Sequence, residues 1–247
     1  MDKKMIQTIS LFAEGIDEHH WEKVRQTLSD KVVLDSAPVG RAAREMTAGE
    51  LIAFMQSASG AFQATCHHVG NFHCSASAVQ FDLMALHYST AGIFTLFRKM
   101  NAFMEKGAMT HIQTLVEETA GNTGLLQQSL PERLPSVRSR NTAAIERFFI
   151  SPGDASLWSA DAVWAIPFQA QPFSTQPFSG KPFSGKQFSG KQAILAHAAT
   201  LSPTSGDRRL IDTDDPDVSL IAYGTVSVAA LYFRDGLLTK VEDYFKG

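Results

Sequence analysis

The chain has 247 residues, of which 44% are apolar, 19% charged and 10% aromatic, and its formal net charge is −3. This composition is typical of a globular chain with one large domain or two small ones, and it offers no basic field for nucleic acid or anionic lipid. No apolar run reaches the roughly 18–20 residues of a membrane span and no export signal is visible. With only two cysteines, we expect a cytoplasmic protein that binds neither nucleic acid nor membrane.

The first 120 residues predict helices followed by a sheet, because the apolar spacing changes from helical to alternating near Ala64. Thr47 and Glu50 have the spacing of a capping box, which marks the start of a helix. The predicted elements are, in order, helices over 5–16 and 21–28, a strand over 32–36, a helix from the capping box, strands from His67 onwards, and a hairpin over 94–116 with its turn at 105–107.

A second set of elements follows a segment that lacks periodicity and contains two glycines and two prolines, which predicts a linker over 121–138. Asp235-Gly236 is a strong signal for a two-residue hairpin. The predicted elements are helices over 145–149, 157–158 and 192–201, and strands over 162–166, 218–223, 225–233 and 237–245. Both halves therefore share one order: helix, helix, short strand, helix, antiparallel strands.

Five pentapeptides cover residues 167–191: PFQAQ, PFSTQ, PFSGK, PFSGK and QFSGK. Their period of five fits neither a helix nor a strand, and four of the five units contain proline, so we expect a loop. Two interpretations remain open. The segment is either functional, as an aromatic flap that closes over a ligand or a short-motif docking segment, or it is a loop expanded by insertions, which cost little because loop-closure entropy grows slowly with length.

Several segments resemble the SnoaL-like branch of the nuclear transport factor 2-like (NTF2-like) superfamily. In the first half they are residues 15–17, 21–24 and 28–35, and then 65–71 and 84–88 for the middle strands. In the second half, residues 157–168 and 188–194 look like the same opening again, and residues 233–244 are similar to the last hairpin of the family.

The resemblance implies an α+β fold with two cone-shaped NTF2-like domains, each with helices packed in a curved antiparallel sheet around an apolar pocket. The expected bounds are 1–120 for the first domain and 139–247 for the second. Too little sequence separates Tyr223 from Leu231 for the usual pair of long strands, so the second copy is expected to be reduced. Because family members often pair through their sheets, an internal pseudo-dimer or a homodimer is also expected.

The first half contains the residues that could carry chemistry. Asp35 follows an apolar strand, and in the resembling enzymes an acidic pocket residue moves a proton, with burial raising its pKa; an aspartate before Ser36 equally suits a turn. His67 and Asn71 would share one strand face. We take Asp35, His67 and His87 as catalytic candidates, and the following as substrate-binding candidates: Trp21, Phe54, Asn71, Tyr88 and His111.

No metal or cofactor is expected. The adjacent histidine pairs diverge on a strand, and no phosphate-binding glycine loop, serine elbow or cysteine nucleophile signature is present. The leading hypothesis is a protein that binds a small apolar or carbonyl-bearing molecule and acts as a cofactor-free isomerase, cyclase or dehydratase. The alternative is a non-catalytic carrier, sensor or assembly subunit. Placement of Asp35, His67 and His87 around one cavity would favour the enzyme.

Overall fold

The chain folds into two units, Met1–Arg133 and Leu134–Gly247, each built on a six-stranded sheet. The computed structural model describes residues 2–60, 62–121, 137–166, 185–201, 208–224 and 227–245. The division lies within the predicted linker 121–138, of which residues 122–136 lie outside the described residues. The exact domain bounds therefore stay a prediction.

The first unit begins with helices and continues into long strands, as the change of apolar spacing predicts. Its helices are α1 (Asp2–Asp17), α2 (Trp21–Gln26) and α3 (Ala48–Ser59), and a short 3₁₀ turn covers Ala37–Val39. Its strands are β1 (Leu28–Asp35), β2 (Arg44–Thr47), β3 (Ala64–Cys74), β4 (Ala78–Ser89), β5 (Gly92–Glu105) and β6 (Ala108–Gly121). The capping box of Thr47 and Glu50 is present at the start of α3.

The strand order in this sheet is β2-β1-β6-β5-β4-β3. Neighbouring strands are antiparallel except for β1 and β6, which are parallel, so the expectation of an antiparallel sheet is wrong at this one pair. A parallel pair needs a crossover, and the chain from β1 to β6 supplies it. Helices α1, α2 and α3 cover the inner face, where Met5, Ile9 and Val24 pack against buried strand residues such as Phe81 and Met100.

The second unit repeats this topology, and the four strands β9 to β12 are shorter than their counterparts β3 to β6. Its helices are α4 (Thr142–Ile150) and α5 (Lys191–Ala198). Its strands are β7 (Trp158–Ile166), β8 (Lys186–Ser189), β9 (Arg208–Asp212), β10 (Val218–Tyr223), β11 (Ser227–Arg234) and β12 (Leu237–Phe245). The order β8-β7-β12-β11-β10-β9 matches the first sheet strand for strand, including one parallel pair, β7 with β12.

The second copy is reduced in strand length and not in strand number. Strands β10, β11 and β12 have 6, 8 and 9 residues, whereas β4, β5 and β6 have 12, 14 and 14. The sequence interpretation missed β9, a short strand rich in charged residues without apolar alternation. The core of the second unit contains the stacked rings of Trp158 and Trp164.

Two local expectations for the second unit are wrong. Leu157 and Trp158 do not share a helix: Leu157 ends a short 3₁₀ helix, Ala155–Leu157, and Trp158 begins strand β7. The last pentapeptide does not lie wholly in a loop, because Gln187 to Ser189 pair with β7 in an antiparallel ladder. This pentapeptide begins with Gln187, whereas the other four begin with proline. Glutamine has a backbone N–H group that can pair in a sheet, and proline has none. Residues 167–184 of the repeat lie outside the described residues.

Both predicted hairpin turns are confirmed. Lys106 and Gly107 have φ values of 53° and 88°, and Asp235 and Gly236 have φ values of 55° and 77°. Positive φ at both central positions is the geometry of a type I′ turn, which suits the twist of paired strands. Within the part of the chain that the structure describes, no helix combines the length and apolarity that a bilayer crossing requires.

Candidate active site in the first unit

A cavity of about 700 Å³ lies between the helices and the sheet of the first unit. Cavities of this size enclose small organic ligands in other proteins. Most of its wall is apolar. Helices α1 and α3 contribute Ile9, Phe12, Ala13, Ile16, Leu51, Phe54 and Met55, and the strands contribute Leu34, Val69, Phe81, Leu83, Phe94, Leu96, Met100, Met109 and Ile112.

His67 lies in this wall and is held by a buried carboxylate that the sequence interpretation did not select. Its Nδ1 atom lies 2.6 Å from Oδ1 of Asp17, whose side chain is only 2% exposed. The same carboxylate accepts hydrogen bonds from the Thr65 hydroxyl at 2.9 Å and from the His67 backbone N–H at 2.9 Å. Asp17 therefore orients the His67 ring through Nδ1, a contact that favours the ring tautomer with its proton on Nδ1.

The position of Asp17 depends on close packing between α1 and α2. Asp17 is the last residue of α1, and a Cβ atom at Gly15 would come within 2.8 Å of Cγ2 of Val24. Gly15 therefore lets α2 approach α1, and its carbonyl accepts a hydrogen bond from the His20 N–H at 2.8 Å. This arrangement directs the end of α1 towards β3, where Thr65 and His67 lie.

His87 stands beside His67, with their ring centroids 5.4 Å apart and their planes nearly perpendicular. The rings of Phe62 and Phe94 lie against it, with centroids at 4.8 Å and 5.5 Å. Burial lowers the pKa of His87 to about 3, and a positive charge on His67 or Arg98 acts in the same direction. His87 is therefore neutral near pH 7 and offers one N–H donor and one acceptor.

Charged side chains occupy another part of the wall. Nε and Nη2 of Arg98 lie 2.8 Å and 2.7 Å from Oε2 of Glu117, and Nη2 of Arg41 lies 2.5 Å from the same atom. Burial acts to raise the pKa of Glu117, but the charge of Arg98 and the hydrogen bond from Arg41 outweigh it and lower the pKa. Glu117 is therefore ionised and is not a proton donor at neutral pH.

A bulge in β6 turns Glu117 into the cavity. Met100 pairs with Thr114, but the preceding Lys99 pairs with Val116, so β6 has one extra residue at this point. Strict alternation from Thr114 would place Val116 inside and Glu117 outside. With the extra residue, both Thr114 and Glu117 line the cavity.

Asp35 does not join the two histidines, so its catalytic assignment is not supported. The cavity is lined by its neighbours Leu34 and Ser36, and strand alternation directs Asp35 to the opposite face. There its Oδ1 accepts the Ala37 N–H at 2.9 Å, and its Oδ2 accepts the Gln113 amide at 2.8 Å. The Ala37 hydrogen bond first, and then the one from Gln113, lower the pKa of Asp35 below its ordinary value. Asp35 therefore stabilises the turn that follows β1, which is the alternative role that the sequence left open.

Phe54 is the substrate-binding candidate that lines the cavity, whereas Trp21, Asn71, Tyr88 and His111 do not line it. Asn71 has φ of 52° at an irregularity in β3, which ends the alternation that would have placed it beside His67. Its amide donates to Asp82 at 2.9 Å on the exposed side.

The remaining three candidates pack elsewhere in the first unit. Tyr88 is buried, and Trp21 packs against the core. His111 stacks on Phe103, with its Nε2 3.5 Å from Asp35.

The residues that sequence reasoning missed are Asp17, Arg98 and Glu117. One signal for Asp17 is available: an acidic residue at a helix C-terminus is electrostatically unfavourable, and no basic residue in the last turn of α1 offsets it. Arg98 interrupts an apolar strand, which marks a charge that needs a partner. No sequence signal reveals the bulge that aims Glu117 inwards.

In the second unit, Asp243 is buried and accepts a hydrogen bond from the Tyr223 hydroxyl. Burial raises the pKa of Asp243 to about 6, although the Tyr223 hydrogen bond opposes this rise. A raised carboxyl pKa means that the unfolded chain loses its proton first, so stability falls as pH rises from about 4 to about 6.

We expect wild type to lose about 1 kcal/mol of unfolding free energy between pH 5 and pH 7 that Asp243→Asn does not lose. Urea unfolding followed by the fluorescence of Trp158 and Trp164 measures this, in a Trp21→Phe background that removes the emission of the first unit. Asp235→Asn, at an exposed turn, is the matched control and should keep the wild-type slope. Equal slopes for wild type and Asp243→Asn would contradict the assignment.

Among residues 2–60, 62–121, 137–166, 185–201, 208–224 and 227–245, no group of three or more histidine, cysteine or acidic side chains is arranged to hold a metal ion. The arrangement in the first unit instead brings together a carboxylate-bound histidine, a neutral histidine and an apolar space. Such a set can take a proton from a bound molecule and stabilise the oxygen on which charge develops.

No protein-family model matches the chain, and no curated protein matches it. The chain is similar to an NTF2-like protein of unknown function from Cytophaga hutchinsonii, with 10% identity and a TM-score of 0.36 over 46% of this chain and 89% of that chain. It is similar to an LEH-like epoxide hydrolase from M. tuberculosis, with 12% identity and a TM-score of 0.40 over 45% of this chain and 81% of that chain. It is also similar to RV0760c from Mycobacterium tuberculosis in complex with estradiol-17beta-hemisuccinate, with 13% identity and a TM-score of 0.40 over 46% of this chain and 93% of that chain. Solved structures that this chain resembles therefore include an NTF2-like protein, and each of the three matches about half of the chain.

Proposed function

We propose that the first unit binds a small apolar molecule that bears a carbonyl group and moves a proton on it without a cofactor, as an isomerase, cyclase or dehydratase does. The observation that carries the proposal is the buried hydrogen bond between Asp17 and His67 in the wall of an apolar cavity. A carboxylate that fixes a histidine tautomer makes the other ring nitrogen a well-oriented base.

His67 acts as the base in this proposal. Its Nε2 takes a proton from the carbon next to the carbonyl, and the C–H electron pair moves into a carbon–carbon double bond as the carbonyl oxygen gains negative charge. Asp17 stabilises the imidazolium that forms. In a ketone with a carbon–carbon double bond one position further from the carbonyl, return of the proton from His67 to the far end of the dienolate shifts that double bond and completes an isomerisation, so protons and electrons balance and no oxidant is required.

His87 stabilises the oxygen during this step. Burial keeps the ring neutral, so it has one N–H group, and a hydrogen bond with the Phe94 backbone competes for that group. In this proposal the N–H donates to the oxygen of the bound molecule instead. The apolar wall excludes water and strengthens this hydrogen bond, since the local dielectric is low. Phe54 and the other apolar lining residues hold the body of the molecule.

Deuterium exchange tests the proposal without knowledge of the natural substrate. The full chain is incubated in D₂O with 2-tetralone, a steroid enone and a terpenoid ketone, and mass spectrometry follows deuterium uptake next to the carbonyl. We expect wild type to exceed the buffer rate with at least one ketone, and His67→Gln to be slower by about 10²–10⁴-fold. A thermal-shift titration with the same ketone should show that His67→Gln still binds.

His111→Gln is the matched control, because His111 lies in the same unit outside the cavity wall. It should exchange at the wild-type rate. Equal exchange by wild type and His67→Gln would overturn the role of His67. A ketone that stabilises wild type but is never exchanged would favour the non-catalytic carrier or sensor.

A further inference from the structure

The cavity has an excess of positive charge that proton transfer at His67 does not use. Among the described residues, the charged side chains that line it are Arg41, Arg44, Arg98 and Glu117. Glu117 neutralises one of the three arginines. The lining residues therefore carry two positive charges in excess of their acidic groups, and this excess would attract an anionic ligand.

Arg44 is placed to contact a ligand. It lies opposite Leu34 in the ladder of β1 and β2, and residues opposite each other in an antiparallel pair point to the same face. Leu34 lines the cavity, and so does Arg44. Arg44 makes no ion pair with any residue that the structure describes, and its side chain is exposed.

Arg41, three residues before Arg44, adds a second guanidinium to the cavity wall. Its side chain is 51% exposed, and it shares the Glu117 oxygen with Arg98. Arg98 is the less exposed of the two arginines bound to Glu117, at 28%, and holds Glu117 through two N–H groups. Arg98 and Glu117 therefore form the inner support, while Arg41 and Arg44 face the more open side of the cavity.

The register of the sheet separates this cluster from the histidines. His67 pairs with Ala85, and Ala85 pairs with Leu96, two residues before Arg98 on β5. Two strand spacings and two residues along a strand amount to about 12 Å between the backbone positions of His67 and Arg98. Arg41 bonds the same Glu117 oxygen as Arg98, so a ligand of moderate length that contacts His67 can reach the Arg41 guanidinium.

We infer that the ligand is amphipathic, with a carboxylate bound by Arg41 and Arg44 at one end and its reactive carbonyl at His67 and His87 at the other. A guanidinium presents two parallel N–H groups that match the two oxygens of a carboxylate. This inference rests on the proposed function for the position of the carbonyl end. The position of the carboxylate end is inferred from the arginines that line the cavity and does not depend on the proposed function.

A matched pair of probes tests the carboxylate end separately. Isothermal titration calorimetry with the full chain compares 2-naphthylacetate with 2-naphthylacetamide, which has the same apolar body and no charge. We expect wild type to bind the carboxylate about tenfold more tightly than the amide, as a charge-assisted hydrogen bond provides. In the double variant Arg41→Gln/Arg44→Gln this preference should fall below about threefold, with the Kd of the amide unchanged.

Lys31→Gln is the control for general electrostatics. Lys31 lies on β1, the strand paired with the β2 strand of Arg44, but it pairs with Glu45 and does not line the cavity. It should retain the tenfold preference. Equal affinity of wild type for the two probes, or a preference that survives in the double variant, would overturn the inference and leave the proton-transfer proposal standing. Absence of binding by both probes at millimolar concentration would contradict both.

Discussion

Asp17→Ala is expected to lower the unfolding free energy of the first unit by about 3–5 kcal/mol, because three hydrogen-bond donors lose their buried acceptor. Asp17 accepts hydrogen bonds from the Thr65 hydroxyl, the His67 backbone and the His67 ring. Removal of the carboxylate leaves these donors buried without an acceptor, and each such group costs about 1–3 kcal/mol. Urea unfolding followed by Trp21 fluorescence and circular dichroism measures the loss.

Two control variants separate this effect from a change of charge. Glu18→Ala removes the adjacent acidic residue, which is exposed and pairs with Lys23 at 3.1 Å, and should cost less than about 1 kcal/mol. Asp17→Asn keeps the size and one acceptor oxygen and should lose less stability than Asp17→Ala. A loss below about 1 kcal/mol for Asp17→Ala would show that the hydrogen bonds of Asp17 do not stabilise the fold.

Acidification is expected to destabilise the first unit through His87. Because the pKa of His87 lies at about 3 in the folded protein and near 6.5 in the unfolded chain, only the unfolded chain takes up this proton as pH falls below about 6.5. The stability contributed by His87 is therefore complete above that pH and is lost progressively down to about 3. Between pH 7 and pH 4.5 the loss amounts to about 2–3 kcal/mol.

His87→Gln should remove this dependence. Its unfolding free energy should fall by about 2–3 kcal/mol less than that of wild type over the same pH interval, although the variant is less stable at pH 7. His73→Gln, which removes an exposed histidine from the same pair of strands, should follow wild type. Parallel pH profiles for wild type and His87→Gln would show that His87 takes up its proton in the folded state.

The sequence predicted the elements whose apolar pattern is strong, and missed those that tertiary contacts create. The α1 stripe, the Thr47–Glu50 capping box and the Asp235-Gly236 turn each follow from a few neighbouring residues, and all are observed. Strands β2 and β9 have polar or charged sequences and form because a neighbouring strand offers a free edge. Local pattern does not contain that information.

The candidate site was predicted in part for a similar reason. Strand alternation is sufficient to place His87 on the cavity side of β4, next to Leu83 and Phe81. It misplaced Asn71, because the irregularity in β3 changes the face at that point. The partner of His67 lies 50 residues away on another element, so no pattern along the strand reveals it.

The extra residue in β6 makes the chemistry of the cavity depend on the length of a strand as well as on the identity of its side chains. A one-residue insertion in β5 opposite the bulge would restore strict alternation along β6 and turn Val116 and Glu118 inwards in place of Glu117 and Thr119. Two lining positions would then change together without a substitution at either. Related chains could thus acquire cavities of different charge through a single change in length, a route that a comparison of aligned residues would overlook.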